Sequence, residues 1–183
     1  MKNRFRFVAI FCLSAIPLVG LAGPGQADER ANLTRKSLAA EQALKDQSAG
    51  TRELVDKAKA VLVFPEITKV GAILGGTAGE GVLLQDGSAL GHYKLVNGSV
   101  GLTLGMTQYS QAILFMTSES LRAFQSASGW EIGGDLSVAM VDVGAGGQLD
   151  SKNIDSSVIT IVWGQNGLMA DASVKGGKIE KID

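Results

Sequence analysis

The chain has 183 residues, with 17 basic and 18 acidic side chains, one histidine and one cysteine. That length suits a single domain with a proper core, and a slightly acidic balance argues against nucleic acid as a partner, which calls for a strong basic bias. The lone Cys12 falls in an N-terminal apolar run, so disulfides, zinc-thiolate sites and a cysteine nucleophile are excluded from the part expected to fold.

Residues 1–27 have the pattern of a secretory signal peptide. Lys2, Arg4 and Arg6 precede the apolar run Phe7 to Leu21, and Gly25-Gln26-Ala27 supplies a small-residue exit. Pro17 and Gly20 interrupt the run, which is shorter than the ~20 residues a spanning helix needs. Bulky Phe11 before Cys12 occupies the position where a lipoprotein cleavage site requires a small residue. Cleavage after Ala27 would remove three of the 17 cations and none of the 18 acids, for a net charge of about −4. The expected location is periplasmic or extracellular.

Residues 28–60 predict helix, being rich in Ala, Leu, Lys, Glu, Gln and Arg, with Gly50 dividing it. The first half has a thin apolar stripe of Leu33, Ala40, Ala43 and Leu44. In the second half Leu54, Val55, Ala58, Val61 and Leu62 recur at three- and four-residue spacing. Two readings fit the basic residues between them: a helix lying on an anionic membrane, or a solvated face on which Glu41, Asp46, Glu53 and Asp56 dilute the positive charge.

Val61 to Phe64 predicts a strand that ends at Pro65, which cannot donate to a ladder. Val70-Gly71-Ala72-Ile73-Leu74 resumes an extended pattern and leads into Gly75, Gly76, Gly79 and Gly81. Such glycines permit a bulge or a close approach of neighbouring chain. Nucleotide binding is not expected. A dinucleotide fingerprint opens a long helix, whereas Val82-Leu83-Leu84 and Asp86-Gly87 announce a strand and a turn, and Gly177-Lys178 is followed by Ile179 where a Walker loop needs Ser or Thr.

Further on, Gly91 to Leu95 is extended, and Asn97-Gly98 is a two-residue hairpin signal. In the next expected strand, Ser99 to Thr107, Val100, Leu102, Leu104 and Met106 alternate with small residues, which assigns them to the core and leaves the other face nearly bare. Thr117-Ser118-Glu119 caps a short helix to Gln125, held by Leu121 and Phe124. Strands are expected at Trp130 to Ile132, Leu136 to Val143 and Val158 to Trp163. A last pair is expected near Leu168 to Val174 and Lys178 to Ile182, with Gly144 to Asp155 as a long loop.

Catalytic chemistry finds little purchase. His92 is the only histidine, no Gly-x-Ser-x-Gly elbow is present, and a structural or surface role is expected for it. Asp142, Asp150 and Asp155 match no EF-hand spacing and are expected to form turns. An outer-membrane barrel lacks its aromatic girdles, since the chain holds two Trp, two Tyr and six Phe, several of the latter in the signal. No metal, cofactor or catalytic residue is expected.

Four ordered segments carry a family resemblance: Val61-Leu62-Val63-Phe64-Pro65-Glu66-Ile67-Thr68-Lys69; Gly75-Gly76 through Gly79-Glu80-Gly81-Val82-Leu83; Ser128-Gly129-Trp130-Glu131-Ile132-Gly133; and Gly164-Gln165-Asn166-Gly167-Leu168-Met169-Ala170. Together they resemble the SYLF domain, a lipid-binding family with eukaryotic actin-patch adaptors and small exported bacterial members, over roughly Leu33 to Ile182. The resemblance implies phospholipid binding without known catalysis, through a basic N-terminal helix. Carried onto this chain, it makes Arg35, Lys36, Arg52, Lys57, Lys59 and Lys69 candidate headgroup contacts, with Phe64 a candidate for membrane insertion. The implied partner is an anionic phospholipid membrane; the alternative is a structural or protein-interaction module of the cell envelope. The expected fold is α+β, with residues 28–60 helical and 61–183 mainly β: an N-terminal helical segment on a glycine-rich, twisted antiparallel sheet, possibly partly closed, with one short additional helix.

Overall fold

A computed structural model describes residues 24–71, 74–100, 105–127, 129–131, 138–143, 156–167 and 177–182. In chain order the described elements are α1 (Pro24–Lys45), α2 (Ala49–Lys57), β1 (Ala60–Gly71), β2 (Leu74–Gln85), β3 (Ser88–Val100), β4 (Gly105–Phe115), α3 (Ser118–Ser126), β5 (Trp130–Glu131), β6 (Val138–Asp142), β7 (Val158–Gly167) and β8 (Lys178–Lys181). The strands form one sheet in the order β5-β8-β3-β2-β1-β4-β7-β6. Its two ends, β5 and β6, do not pair, so the described sheet is open, and the α+β class holds. It is not wholly antiparallel, because edge strand β6 runs parallel to β7.

The helical break falls before Gly50. Ser48 caps α2 through its hydroxyl, which accepts from the Thr51 amide at 3.1 Å, while the Ser48 amide donates to Thr51 Oγ1 at 3.1 Å. Thr51 Oγ1 also lies 3.0 Å from the Leu44 carbonyl near the end of α1. These bonds satisfy the helix ends, so the turn forms at 46–48 and Gly50 is left inside α2.

Pro65 does not end its strand. β1 continues to Gly71 through an irregularity in register with both neighbours between residues 63 and 67. A bulge is where a residue without an amide hydrogen costs a sheet least. Gly79 and Gly81 of β2 lie against this bulge. A methyl at Gly81 would stand 2.6 Å from Phe64 Cδ1, and one at Gly79 would stand 2.8 Å from Ile67 Cγ1.

The tight turn between β2 and β3 is Asp86-Gly87, with φ of 50° and 74°, as the right-handed twist of a hairpin prefers. Asn97-Gly98 is not a turn: both residues lie within β3, opposite Thr77 and Gly76. Continued pairing with the long β2 outweighs the local turn preference there. The expected strand from Ser99 to Thr107 is corrected: Ser99 and Val100 end β3 beside β2, while Gly105 to Thr107 begin β4 beside β1, so its ends lie in two strands. Those expected at Trp130 to Ile132 and Leu136 to Val143 are described only in part. Gly144 to Asp155 and Leu168 to Val174 lie outside the described residues.

The sheet has two buried faces. On one, Leu62, Phe64, Ile67, Leu83, Tyr93, Leu95, Ile113 and Phe115 meet Leu121 and Phe124 of α3. Phe124 packs at 4.8–5.7 Å between ring centroids against Phe115, Tyr93 and Trp130, a spacing that adds to area burial. On the other, Val61, Val63, Val82, Leu84, Ala112, Leu114, Ile159 and Ile161 meet Leu44, Leu54 and Val55 of α1 and α2. Polar contacts tether α1 there as well: Ser37 Oγ is 3.4 Å from the Val63 carbonyl, and Thr34 Oγ1 is 3.2 Å from Nε2 of the part-buried His92.

Candidate functional site

The candidate headgroup residues do not converge on one place. Arg35 and Lys36 are exposed on α1, between the anchoring residues Thr34 and Ser37 in the same turn. Arg52 and Lys57 are exposed on α2, and both border an open concavity of about 730 Å³ between α1 and α2. Lys59 is exposed just before β1. Lys69 is partly buried near the far end of β1, about 30 Å from Lys59 at the rise of an extended strand. Alternation puts Lys69 on the α3 face with Ile67, opposite Thr107 of β4.

Their electrostatic states differ as well. The α1–α2 concavity is self-compensated: Arg52 pairs with Asp46 at 2.9 Å, Lys57 with Glu53 at 2.6 Å, and Lys45 with Asp56 at 2.9 Å and Glu41 at 3.5 Å. The hydrogen bond from Lys57, with its charge, lowers the Glu53 pKa, and the Asp56 carboxylate is the main cause raising that of Lys45. A headgroup would have to compete with these carboxylates. Arg35, by contrast, donates to the neutral Asn32 Oδ1 at 3.1 Å, and neither Lys36 nor Lys59 forms an ion pair among the described residues.

Phe64 has no surface to insert. It is 0 % exposed, its ring fills the space over Gly81, and it belongs to the α3-face core. The expectation of membrane insertion is corrected on that point. The bulge at Pro65 keeps Phe64 in the ladder instead of placing it at a strand end. Met106 is corrected in the opposite sense: assigned by alternation to the core, it is 58 % exposed, while Thr107 and Tyr109 turn inward.

Among the described residues the exposed large apolar side chains are Val70, Val96, Met106 and Leu90. Sequence reading missed the first three as a group, although a signal was present: no charged residue occurs from Val70 to Gly79 or from Leu95 to Ser118. Among the described residues no group of His, Cys, Asp and Glu is arranged to hold a metal ion, and no helix is long and apolar enough to cross a membrane. Asp142 ends β6 opposite Val162 rather than forming a turn; Asp150 and Asp155 lie outside the described residues.

The described residues form an open α+β sheet with helices on both faces and exposed cations on α1, α2 and α3. Residues 96–182 match the family model described as Ysc84, Las17-binding protein actin regulator. That match covers just under half of the chain and supports kinship with the SYLF domain family, a family of binding domains rather than of catalysts. No curated protein matches the chain.

Proposed function

We propose that the chain is a non-enzymatic phospholipid-binding protein, exported by its N-terminal segment and associated with anionic membrane surfaces. The family is associated with lipid and actin binding, and an export signal favours lipid, because an exported chain leaves any cytoskeleton behind. The observation that carries the reading is the exposed pair Arg35 and Lys36 on α1, neither of which is held by a carboxylate among the described residues.

Each cation close to an anionic surface contributes about 1 kcal/mol, so Arg35→Gln with Lys36→Gln should weaken vesicle binding by about 30-fold at low salt. Co-sedimentation with vesicles containing phosphatidylglycerol measures this, and an unchanged affinity in the double variant would overturn the assignment. Export has its own readout. The mass of the protein recovered outside the cytoplasm should correspond to cleavage near Ala27; an uncleaved chain retained in the cytoplasm would contradict export.

The second reading, a structural or protein-interaction module of the envelope, draws support from the balanced charge of the α1–α2 concavity. On that reading a crosslinked protein partner persists after Lys57, Lys59 and Lys69 are neutralised.

A further inference from the structure

The α3 face of the sheet buries polar side chains among apolar ones. Gln111 of β4 is 0 % exposed, and neither Oε1 nor Nε2 of its amide has a hydrogen-bond partner among the described residues. Thr160 of β7 is equally buried, and its Oγ1 is unpartnered in the same sense. Both lie on the α3 face: Gln111 is the cross-strand partner of Phe64 and of Val162, and Thr160 that of Ile113, all three members of that core. On the opposite face the same two strands present Ala112, Leu114, Ile159 and Ile161, each fully buried and apolar. The polarity belongs to one face and not to the strands as a whole.

Buried polar atoms without partners are rare, because each gives up the hydrogen bonds it made with water. Three such atoms occur here in one neighbourhood. In antiparallel β4 and β7, Gln111 pairs with Val162 and Ile113 with Thr160, so Gln111 and Thr160 are diagonal neighbours, about 7 Å apart along the backbone. The ladder is also loosened beside them. β1 sets residues 65 and 66 against residue 110, and β7 sets residues 164 and 165 against residue 109. Such bulges bend the strand and take main-chain groups out of the ladder. One carbonyl at the first of them, that of Pro65, accepts a hydrogen bond from Ser110 Oγ at 2.8 Å.

We propose that a water molecule is bound inside the α3-face core, bridging the Gln111 amide to the Thr160 hydroxyl. The chemistry of the occupant follows from the groups. Gln111 presents donors and an acceptor, and Thr160 a hydroxyl that does either, so the occupant both donates and accepts. Their cross-strand partners, Phe64, Val162, Ile113 and Met140, carry no charge with which to hold an ion. Complete burial of both side chains limits the occupant to about the size of water. Thr107 Oγ1, also buried and unpartnered, lies four residues along β4 from Gln111, about 13 Å away and opposite Lys69, beyond reach of the same molecule. The site is independent of the lipid-binding reading.

The test uses Gln111→Met and Thr160→Val, which keep the shape of each side chain and remove its polar atoms. With the water in place, each single variant strips one partner from it. The urea midpoint of each should then fall by about 0.5 M, and that of the double variant by less than the sum. If both single variants raise the midpoint, the polar atoms are orphaned in the parent protein and the proposal is overturned. If the two losses add, the groups share no water, which overturns it as well. A second measurement needs no variant. A crystal structure of the parent protein, at a resolution that shows ordered solvent, should contain a water within about 3.2 Å of a Gln111 amide atom and of Thr160 Oγ1. A direct bond between Gln111 and Thr160, or a Gln111 amide bonded to another part of the chain, would overturn the proposal.

Discussion

A methyl group at Gly81 would lie 2.5 Å from the Val63 carbonyl oxygen and 2.6 Å from Phe64 Cδ1, with backbone on one side and a fully buried ring on the other. Neither can retreat without disturbing the bulge at Pro65. Gly81→Ala should therefore lower stability by about 1–3 kcal/mol, the usual cost of overpacking a core, read as a lower urea midpoint; an unchanged midpoint would show that the bulge is pliable. Glycines as devices of close packing were legible in the sequence. What was hidden was their partner, because only the register of β1 on β2 brings Phe64 over Gly81. The same register explains why Phe64, next to a proline and flanked by lysines at Lys59 and Lys69, looked like a membrane anchor and is instead core.

At the scale of elements, β8 is held near one edge of the sheet by four cross-strand pairs with β3. Its charge cluster centres on Glu180, which meets Lys178 at 2.6 Å and Lys94 at 3.0 Å. The Lys178 hydrogen bond, then that of Lys94, holds the Glu180 carboxyl down to about 2 from an ordinary value of 4.5. A depressed carboxylate contributes stability above the unfolded pKa, and that contribution is lost as pH falls through the folded one. The thermal midpoint of Glu180→Gln should thus lie below that of the parent protein at neutral pH, the gap closing between pH 4.5 and about 2. Exposed pairs contribute modestly, so the closing of the gap is the informative result; a gap independent of pH would contradict this role.

Elements with strong local signals were the readable ones. Thr117 caps α3, whose Ser118–Ser126 span lies one residue from expectation at its end, and Asp86-Gly87 makes its turn. Asn97-Gly98 and Pro65 carry equally strong local signals, yet pairing across three neighbouring strands overrides both. The parallel pairing of β6 was not legible, because a strand's residues carry no mark of its direction relative to a neighbour.

For the molecule as a whole, charge is distributed unevenly about the sheet. The end bearing the α1–α2 concavity and the Asp86-Gly87 turn is charged and largely self-paired, whereas the end bearing Val70 and Met106 exposes apolar side chains beside Lys69. Six candidate cations could be picked from the sequence as basic residues near the N-terminus or the Phe-Pro step. Only folding sorts them, pairing Arg52 and Lys57 with acids and leaving Arg35 and Lys36 without a carboxylate among the described residues. The most direct measurement is co-sedimentation of the unmodified protein with vesicles of neutral phosphatidylcholine and of phosphatidylcholine with phosphatidylglycerol, at low and at physiological salt. Lipid binding through Arg35 and Lys36 requires retention on the anionic vesicles that weakens as salt rises; equal, negligible retention on both at low salt would contradict it.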